Sequence, residues 1–191
     1  MPVPIRVFGV LLAALSLAAT SAAADEGLWQ RLREGGVGVL MRHATAPGTG
    51  DPASFTLGDC STQRNLNEAG RAEARATGDA FRRNGVTDIA VLSSRWCRSS
   101  ETAELMDLRP VEPHPPLDSF FAGRGDQAAQ TAAMRQRIAG LSEGETEIYV
   151  THQVNITALT DIFPRSGELI VVASDGRGGI EVLGRMGPFR R

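Results

Sequence analysis

Short apolar runs rich in β-branched residues alternate along the chain with longer stretches that carry helix start and stop signals. The short runs predict buried strands at residues 37–42, 87–92, 146–151, 168–173 and 179–183. The longer stretches predict helices at residues 25–34, 67–84, 98–106, 128–139 and 152–163. This alternation is typical of an α/β domain with a mostly parallel central sheet flanked by helices.

The N-terminal segment has a different pattern, which predicts a secretory signal peptide. Arg6 precedes a short apolar run, and Ala22-Ala23-Ala24 forms an A-x-A cleavage site before Asp25. The run is shorter than the roughly 20 apolar residues that a transmembrane helix needs. We therefore expect a signal peptide over residues 1–24, a single domain over residues 25–191, and a periplasmic or secreted protein with no stable membrane insertion after cleavage.

The segment at residues 44–64 has no clear period and contains several glycines and prolines. Long segments without regular structure inside a compact domain are usually functional or mobile, so we expect this one to form a rim or lid over a site. Cys60, near its end, and Cys97 are the two cysteines of the chain. An oxidising compartment permits a disulfide between them, and two independent reduced cysteines are the alternative.

Composition and charge exclude several functions. The chain has a formal net charge of -2 and 20 basic residues, all of them arginine, and no basic stripe indicates a nucleic-acid partner. Because lysine is absent, a lysine nucleophile, a Schiff base and a phosphate-loop lysine are excluded. Two cysteines and three histidines also cannot build a closed structural zinc site with the usual paired spacing.

Arginine and histidine side chains follow two of the predicted strands at the point where each strand ends. Arg42-His43 follows the first strand, and His152 comes directly after the strand at residues 146–151. In open α/β sheets, ligands bind just beyond the carboxyl ends of the strands. A guanidinium group binds two phosphate oxygens at once, and a neutral imidazole can act as a nucleophile. The pattern therefore indicates phosphoryl chemistry at one edge of the sheet.

Four sequence blocks, taken in order, resemble the histidine phosphatase (phosphoglycerate mutase-like) superfamily. They are similar to its Arg-His-Gly signature, the helix after that signature, its Ser-Ser and second-arginine block, and its second histidine segment. The blocks are Arg42-His43-Ala44, residues 65–72, Ser93-Ser94 with Arg98 and Thr102-Ala103, and Val150-Thr151-His152. Their order and spacing agree over about residues 36–165, nearly the whole predicted domain.

The resemblance implies a phosphoglycerate mutase-like fold and a phosphatase that needs neither a metal ion nor another cofactor. It implies that His43 becomes phosphorylated, that Arg42 and Arg98 bind the phosphoryl oxygens, and that His152 completes the pocket. Charge repulsion from the two arginines should lower the pKa of His43 and favour its neutral, nucleophilic form. As further candidates for substrate contact we name Thr45 and Arg95.

The proton donor to the leaving group does not follow the family pattern clearly. The family places a carboxylate downstream of the second arginine, and Asp118 lies nearest to that place. A helix cap or turn residue is an equally good interpretation of Asp118. Asp126 is a weaker candidate, and Asp51 and Asp59 are within reach if the 44–64 segment covers the site. General acid catalysis contributes roughly 10²- to 10⁴-fold, so without a donor, leaving groups of low pKa are favoured.

Two functions of different classes fit these observations, and a third class stays open. The first is an exported phosphatase that hydrolyses a small phosphomonoester through phosphohistidine at His43. A phosphosugar of the cell envelope is the substrate class suggested by exported members of the family. The second is a non-catalytic module that binds a phosphate ligand through Arg42, Arg98 and His152. The third is a structural envelope protein; His114, outside every block, is expected to be structural or exposed.

Overall fold

The computed structural model describes residues 25–190, which form five helices and one six-stranded sheet; the predicted signal peptide lies outside these residues. The helices are α1 (25–34), α2 (Glu68–Arg83), α3 (Cys97–Met106), α4 (Gln127–Ala139) and α5 (Gln153–Thr160). The strands are β1 (Val37–Arg42), β2 (Ala90–Ser93), β3 (Val111–Pro113), β4 (Thr146–Thr151), β5 (Leu169–Ser174) and β6 (Ile180–Met186). Short 3-10 turns lie at Cys60–Thr62, Pro115–Leu117 and Phe121–Gly123.

The sheet has the strand order β3-β2-β4-β1-β5-β6. Strands β3, β2, β4 and β1 are parallel, whereas β5 and β6 form an antiparallel hairpin that pairs with β1. The predicted α/β class and mostly parallel sheet are therefore confirmed. The register aligns Arg42 with Thr151 and Ser93 with Val150, so the carboxyl ends of β1, β2 and β4 meet at one edge.

Apolar residues pack on both faces of the sheet because side chains alternate along each strand. On β1, Val39 and Met41 belong to a core with α1, α2 and α3, and Leu40 belongs to a second core with α4 and α5. On β4, Ile148 and Tyr149 divide between the two cores in the same way. The sheet is thus covered by helices on both faces, which leaves its edges and ends for a site.

Several element boundaries differ from the sequence prediction, and strand β3 was not predicted; the largest differences, of three residues, are at the start of β2 and the ends of α5 and β6. Strand β2 begins at Ala90 instead of residue 87. Helix α5 ends at Thr160 instead of residue 163, because Asp161 adopts a left-handed conformation with φ of 58° that an α-helix cannot continue. Among residues 25–190, no helix is both long enough and apolar enough to cross a membrane.

A disulfide joins Cys60 to Cys97, as predicted. It attaches the 44–64 segment to the first residue of α3, directly before Arg98. The sequence separation of the two cysteines is 37 residues, and closing a loop of this length stabilises a fold by roughly 4 kcal/mol in the chain-entropy model. The disulfide therefore fixes a segment that has little regular structure of its own.

Helix α2 packs directly on the backbone that leaves β1. Asn67 caps the helix, since its side chain accepts a hydrogen bond from the Gly70 N–H. A Cβ atom at Gly70 would lie 2.1 Å from the Thr45 carbonyl oxygen, so glycine is required for this approach. The turn after His43 is consequently held against α2.

Candidate active site

A cavity of about 90 Å³ opens where β1 and β4 end. A cavity of this size suits a small group such as a tetrahedral oxyanion. The cavity is lined by Arg42, His43, Gly48, Thr49, Gly50, Arg64, Arg98, Ser119, Phe121, His152, Gln153 and Val154. The structure therefore brings together the two arginines and two histidines that the sequence predicted.

His43 is buried at the end of β1 with one ring nitrogen committed to the backbone. Its Nδ1 lies 2.8 Å from the Ala44 carbonyl oxygen, and because a carbonyl can only accept, Nδ1 carries the proton. Burial lowers the pKa of His43 to about 3, with a further contribution from the Arg98 charge, although the hydrogen bond to Ala44 opposes this shift. The imidazole is therefore neutral near pH 7, and Nε2 keeps its lone pair.

Three guanidinium groups line the cavity, on Arg42, Arg64 and Arg98. Arg42 donates from Nη1 to the Pro164 carbonyl at 2.9 Å. The Nε–H groups of Arg42 and Arg98 are buried and have no hydrogen-bond partner among the described residues. The three guanidinium groups together make the cavity positively charged, which favours an anion there.

Arg64 is a cavity residue that the sequence analysis did not identify. It donates from Nε to the Gly50 carbonyl at 2.9 Å and from Nη1 to the Ala46 carbonyl, so it holds the 44–64 segment together as well. Burial, with a contribution from Arg98, lowers the pKa of Arg64 to about 10, which still leaves it charged near neutral pH. No local sequence signal distinguishes Arg64 from an exposed loop residue.

Asp51 lies against Arg98, in a buried ion pair. Its two carboxylate oxygens accept from Arg98 Nη1 at 2.7 Å and from Nη2 at 3.2 Å, and one also accepts from the Trp96 indole N–H at 3.0 Å. Burial acts to raise the pKa of Asp51, but the hydrogen bonds from Arg98 and the Arg64 backbone outweigh it and lower the pKa overall. Asp51 is thus an ionised carboxylate that orients Arg98.

His152 is buried and linked to two neighbours. Its Nε2 lies 2.9 Å from Ser94 Oγ, and its Nδ1 lies 3.4 Å from Arg98 Nη2. The centres of the His43 and His152 rings are 5.5 Å apart. Burial, together with the charge of Arg98, holds the pKa of His152 well below its usual range. Both histidines therefore face the cavity as neutral groups.

Asp118 lies behind His152 and outside the cavity lining. Its oxygens accept from the Arg95 backbone N–H and from Arg95 Nε, both at 2.8 Å, and from Ser94 Oγ at 3.3 Å. Arg95 accordingly binds Asp118 and lines a neighbouring depression rather than the cavity. The structure places both residues close to the site without direct access to a group held in it.

The remaining candidates for acid catalysis or substrate contact serve structural purposes. Asp59 caps the turn at residues 60–62, and Asp126 caps α4. Thr45 donates from its backbone N–H and its hydroxyl to Glu73, at 2.9 and 3.0 Å. Among residues 25–190, no carboxylate lines the cavity. His114 is partly buried and lies outside the lining.

Comparison with known proteins agrees with this geometry. A family model described as the histidine phosphatase superfamily (branch 1) matches residues 39–137, and no curated protein sequence matches the chain. The structure of the protein histidine phosphatase SixA complexed with tungstate is similar, with a TM-score of 0.57 and 20% identity over 80% of this chain and 97% of that one. A phosphoserine phosphatase mutant from Entamoeba histolytica, in complex with phosphoserine, has a TM-score of 0.56 and 13% identity over 80% of this chain and 97% of that one.

Proposed function

The chain belongs to the histidine phosphatase superfamily (branch 1), and on that premise we propose that it hydrolyses a small phosphomonoester through a phosphohistidine intermediate at His43. One observation carries the proposal. The Nδ1–H group of His43 is held by the Ala44 carbonyl, which leaves a neutral Nε2 in a cavity lined by three guanidinium groups. A nucleophile beside fixed positive charge is what phosphoryl transfer requires.

The reaction has two displacements. Nε2 of His43 attacks phosphorus, a P–N bond forms, and the ester P–O bond breaks as the leaving oxygen takes the electron pair. Water then attacks phosphorus, the P–N bond breaks, and inorganic phosphate and neutral His43 are released. The guanidinium groups of Arg42, Arg64 and Arg98 line the cavity and place positive charge beside the equatorial oxygens, where negative charge accumulates in the transition state.

The proposal requires no metal ion or other cofactor. Guanidinium groups supply the positive charge in the cavity, and among residues 25–190 no cluster of three or more His, Cys, Asp or Glu side chains is placed to hold a metal. Activity should therefore be unchanged by excess chelator. Because no carboxylate lines the cavity, esters with low-pKa leaving groups should react fastest.

We further propose that the protein works outside the cytoplasm. The signal-peptide pattern of residues 1–24 supports export, and the disulfide between Cys60 and Cys97 suits an oxidising compartment. The substrate is then a small phosphorylated compound of that compartment.

The proposed function is tested with p-nitrophenyl phosphate, whose leaving group needs no acid. We expect steady turnover in the presence of chelator and acid-labile phosphate on His43 after rapid quenching, located by mass spectrometry of peptides. Turnover without phosphate on His43 would contradict the mechanism. Binding of inorganic phosphate without any turnover would identify the chain as a phosphate-binding module instead.

A hydrogen-bond chain suggests that Asp118 positions His152. Ser94 Oγ accepts the Trp96 backbone N–H at 3.2 Å, and its own proton can go to the carboxylate of Asp118, which only accepts. His152 Nε2–H then donates to Ser94, so Nδ1 is the unprotonated ring nitrogen and keeps its lone pair. Such outer contacts fix the tautomer and orientation of an imidazole.

Replacing Asp118 by alanine should lower kcat/KM for p-nitrophenyl phosphate about 10- to 100-fold, as outer-shell substitutions commonly do. Asp118→Asn should retain most of the activity, because the amide oxygen of asparagine still accepts from Ser94. The loss of a carboxyl group should not matter in itself, since p-nitrophenyl phosphate needs no proton donor. Arg95→Gln is the matched control and should change kcat/KM less than about threefold, because Asp118 keeps its hydrogen bonds from Ser94 and from the backbone N–H of residue 95, and the lost guanidinium group is on the solvent side of the pair. A loss in Arg95→Gln equal to that in Asp118→Ala would assign the effect to the ion pair.

A further inference from the structure

A groove continues from the mouth of the cavity along α5. It has a volume of about 520 Å³, within the range of roughly 300–1,000 Å³ that small-molecule sites occupy. Phe121, Gln153 and Val154 line both the cavity and the groove. A group attached to a phosphoryl held in the cavity can therefore extend into the groove.

Six of the ten residues that line the groove are apolar, and the groove is open to solvent. Phe163 is 73% exposed and Phe121 is 46% exposed, and both line the groove together with Val154 and Ala158. Leu57 is the other large hydrophobic side chain that is exposed in the described part of the chain. Covering this exposed apolar surface with an apolar group of the ligand lowers the free energy of the complex.

Four of the ten residues that line the groove are polar, and two of these bond to each other. Gln153 Nε2 donates to Thr157 Oγ1 at 2.9 Å, and Thr157 Oγ1 donates to the Ile162 carbonyl at 2.8 Å. Gln127 is the other uncharged polar residue of the lining, and Asp161 is the charged one; within residues 25–190 no arginine lines the groove. A second anionic group on the ligand would therefore meet the Asp161 carboxylate and no arginine of the described residues.

We propose that this groove binds the leaving group of the substrate and selects an apolar, uncharged one, an aryl or alkyl group. The inference rests on the proposed function, because the groove acts on the ester whose phosphoryl group the cavity holds. Arginine contacts fix the phosphoryl group, and contacts with Phe121 and Phe163 determine which alcohol or phenol is accepted.

A series of 4-alkylphenyl phosphates tests the inference, because their leaving groups differ in size and hardly in pKa. From phenyl to 4-propylphenyl, kcat/KM should rise with each methylene by up to about fourfold, the factor that complete burial of each group would give. Hexyl phosphate should also be a better substrate than glucose 6-phosphate. Both esters release a primary alcohol, and the electron-withdrawing hydroxyls of glucose make it the better leaving group. A preference for hexyl phosphate would therefore arise from the groove and not from the intrinsic reactivity of the ester.

Phe163→Ala should reduce the dependence on chain length and lower the ratio of kcat/KM for 4-propylphenyl and phenyl phosphate, because one of the two aromatic walls is lost. Leu57→Ala removes an exposed apolar side chain that lies outside the groove and should leave both the rates and the ratio unchanged. Turnover with a flat series, or a preference for glucose 6-phosphate, would overturn the inference and leave the proposed function intact. If no ester is turned over and no phosphohistidine forms, the proposed function fails and the inference fails with it.

Discussion

Replacing His43 by asparagine should lower kcat/KM for p-nitrophenyl phosphate by about 10⁴-fold or more and eliminate acid-labile phosphate on the protein. The amide keeps a polar group near the Ala44 carbonyl but has no nitrogen lone pair that can attack phosphorus. Removing the nucleophile of a covalent mechanism abolishes nearly all of the chemical acceleration. The measurements are steady-state rates and rapid-quench phosphorylation, and inorganic phosphate binding checks that the cavity persists.

His114→Asn is the matched control, since His114 lies outside the cavity lining. It should retain turnover and the phosphohistidine signal. Residual turnover in His43→Asn that still passes through a phosphorylated protein would show that another side chain is the nucleophile.

Replacing His43 by asparagine should also change how the folding stability depends on pH. The pKa of His43 is about 3 in the folded protein because the ring is buried, and about 6.5 in an unfolded chain. As pH falls, the unfolded chain therefore takes up this proton before the folded protein does. The contribution of neutral His43 to folding stability is fully present above pH 6.5 and is lost as pH falls towards 3. His43→Asn should give a shallower decline of the unfolding temperature between pH 6.5 and pH 4.

The positions of Arg42, His43 and His152 could be predicted from the sequence because they depend on a local pattern. Each follows an apolar strand, and parallel strands bring their carboxyl ends to one edge. Arg98 was different, since it begins a helix and only the order of the four family blocks connected it to the histidines.

Asp51, Arg64 and the link from Asp118 through Ser94 to His152 could not be predicted in the roles that they have. Asp51 and Arg64 lie in the 44–64 segment, whose path depends on a disulfide and on hydrogen bonds between residues far apart in sequence. Such contacts leave no periodic pattern. Asp51 does reach the site from this segment, but its contact there is Arg98, so it orients an arginine instead of protonating the leaving group.

Replacing Arg98 by glutamine is expected to have the second largest effect on activity, a decrease of about 10³-fold in kcat/KM. The cavity would lose one of the charged donors that stabilise the transition state. It would also leave Asp51 as a buried carboxylate without its cation, and breaking a buried pair costs about 3–5 kcal/mol of folding stability. Arg98 and Asp51 are each only 4% exposed in their side chains, so solvent cannot replace the lost partner.

The double variant Asp51→Asn with Arg98→Gln separates these two losses. Two amides can hydrogen-bond to each other without a buried charge, so the unfolding temperature should recover towards that of the wild type while kcat/KM stays low. Asp51→Asn alone keeps Arg98 charged but less firmly oriented, and should cost less activity than any change at Arg98. Thermal unfolding and steady-state kinetics on the three variants provide the measurement. Recovery of activity in the double variant would mean that Arg98 serves the fold alone, whereas recovery of stability alone assigns its charge to the phosphoryl group.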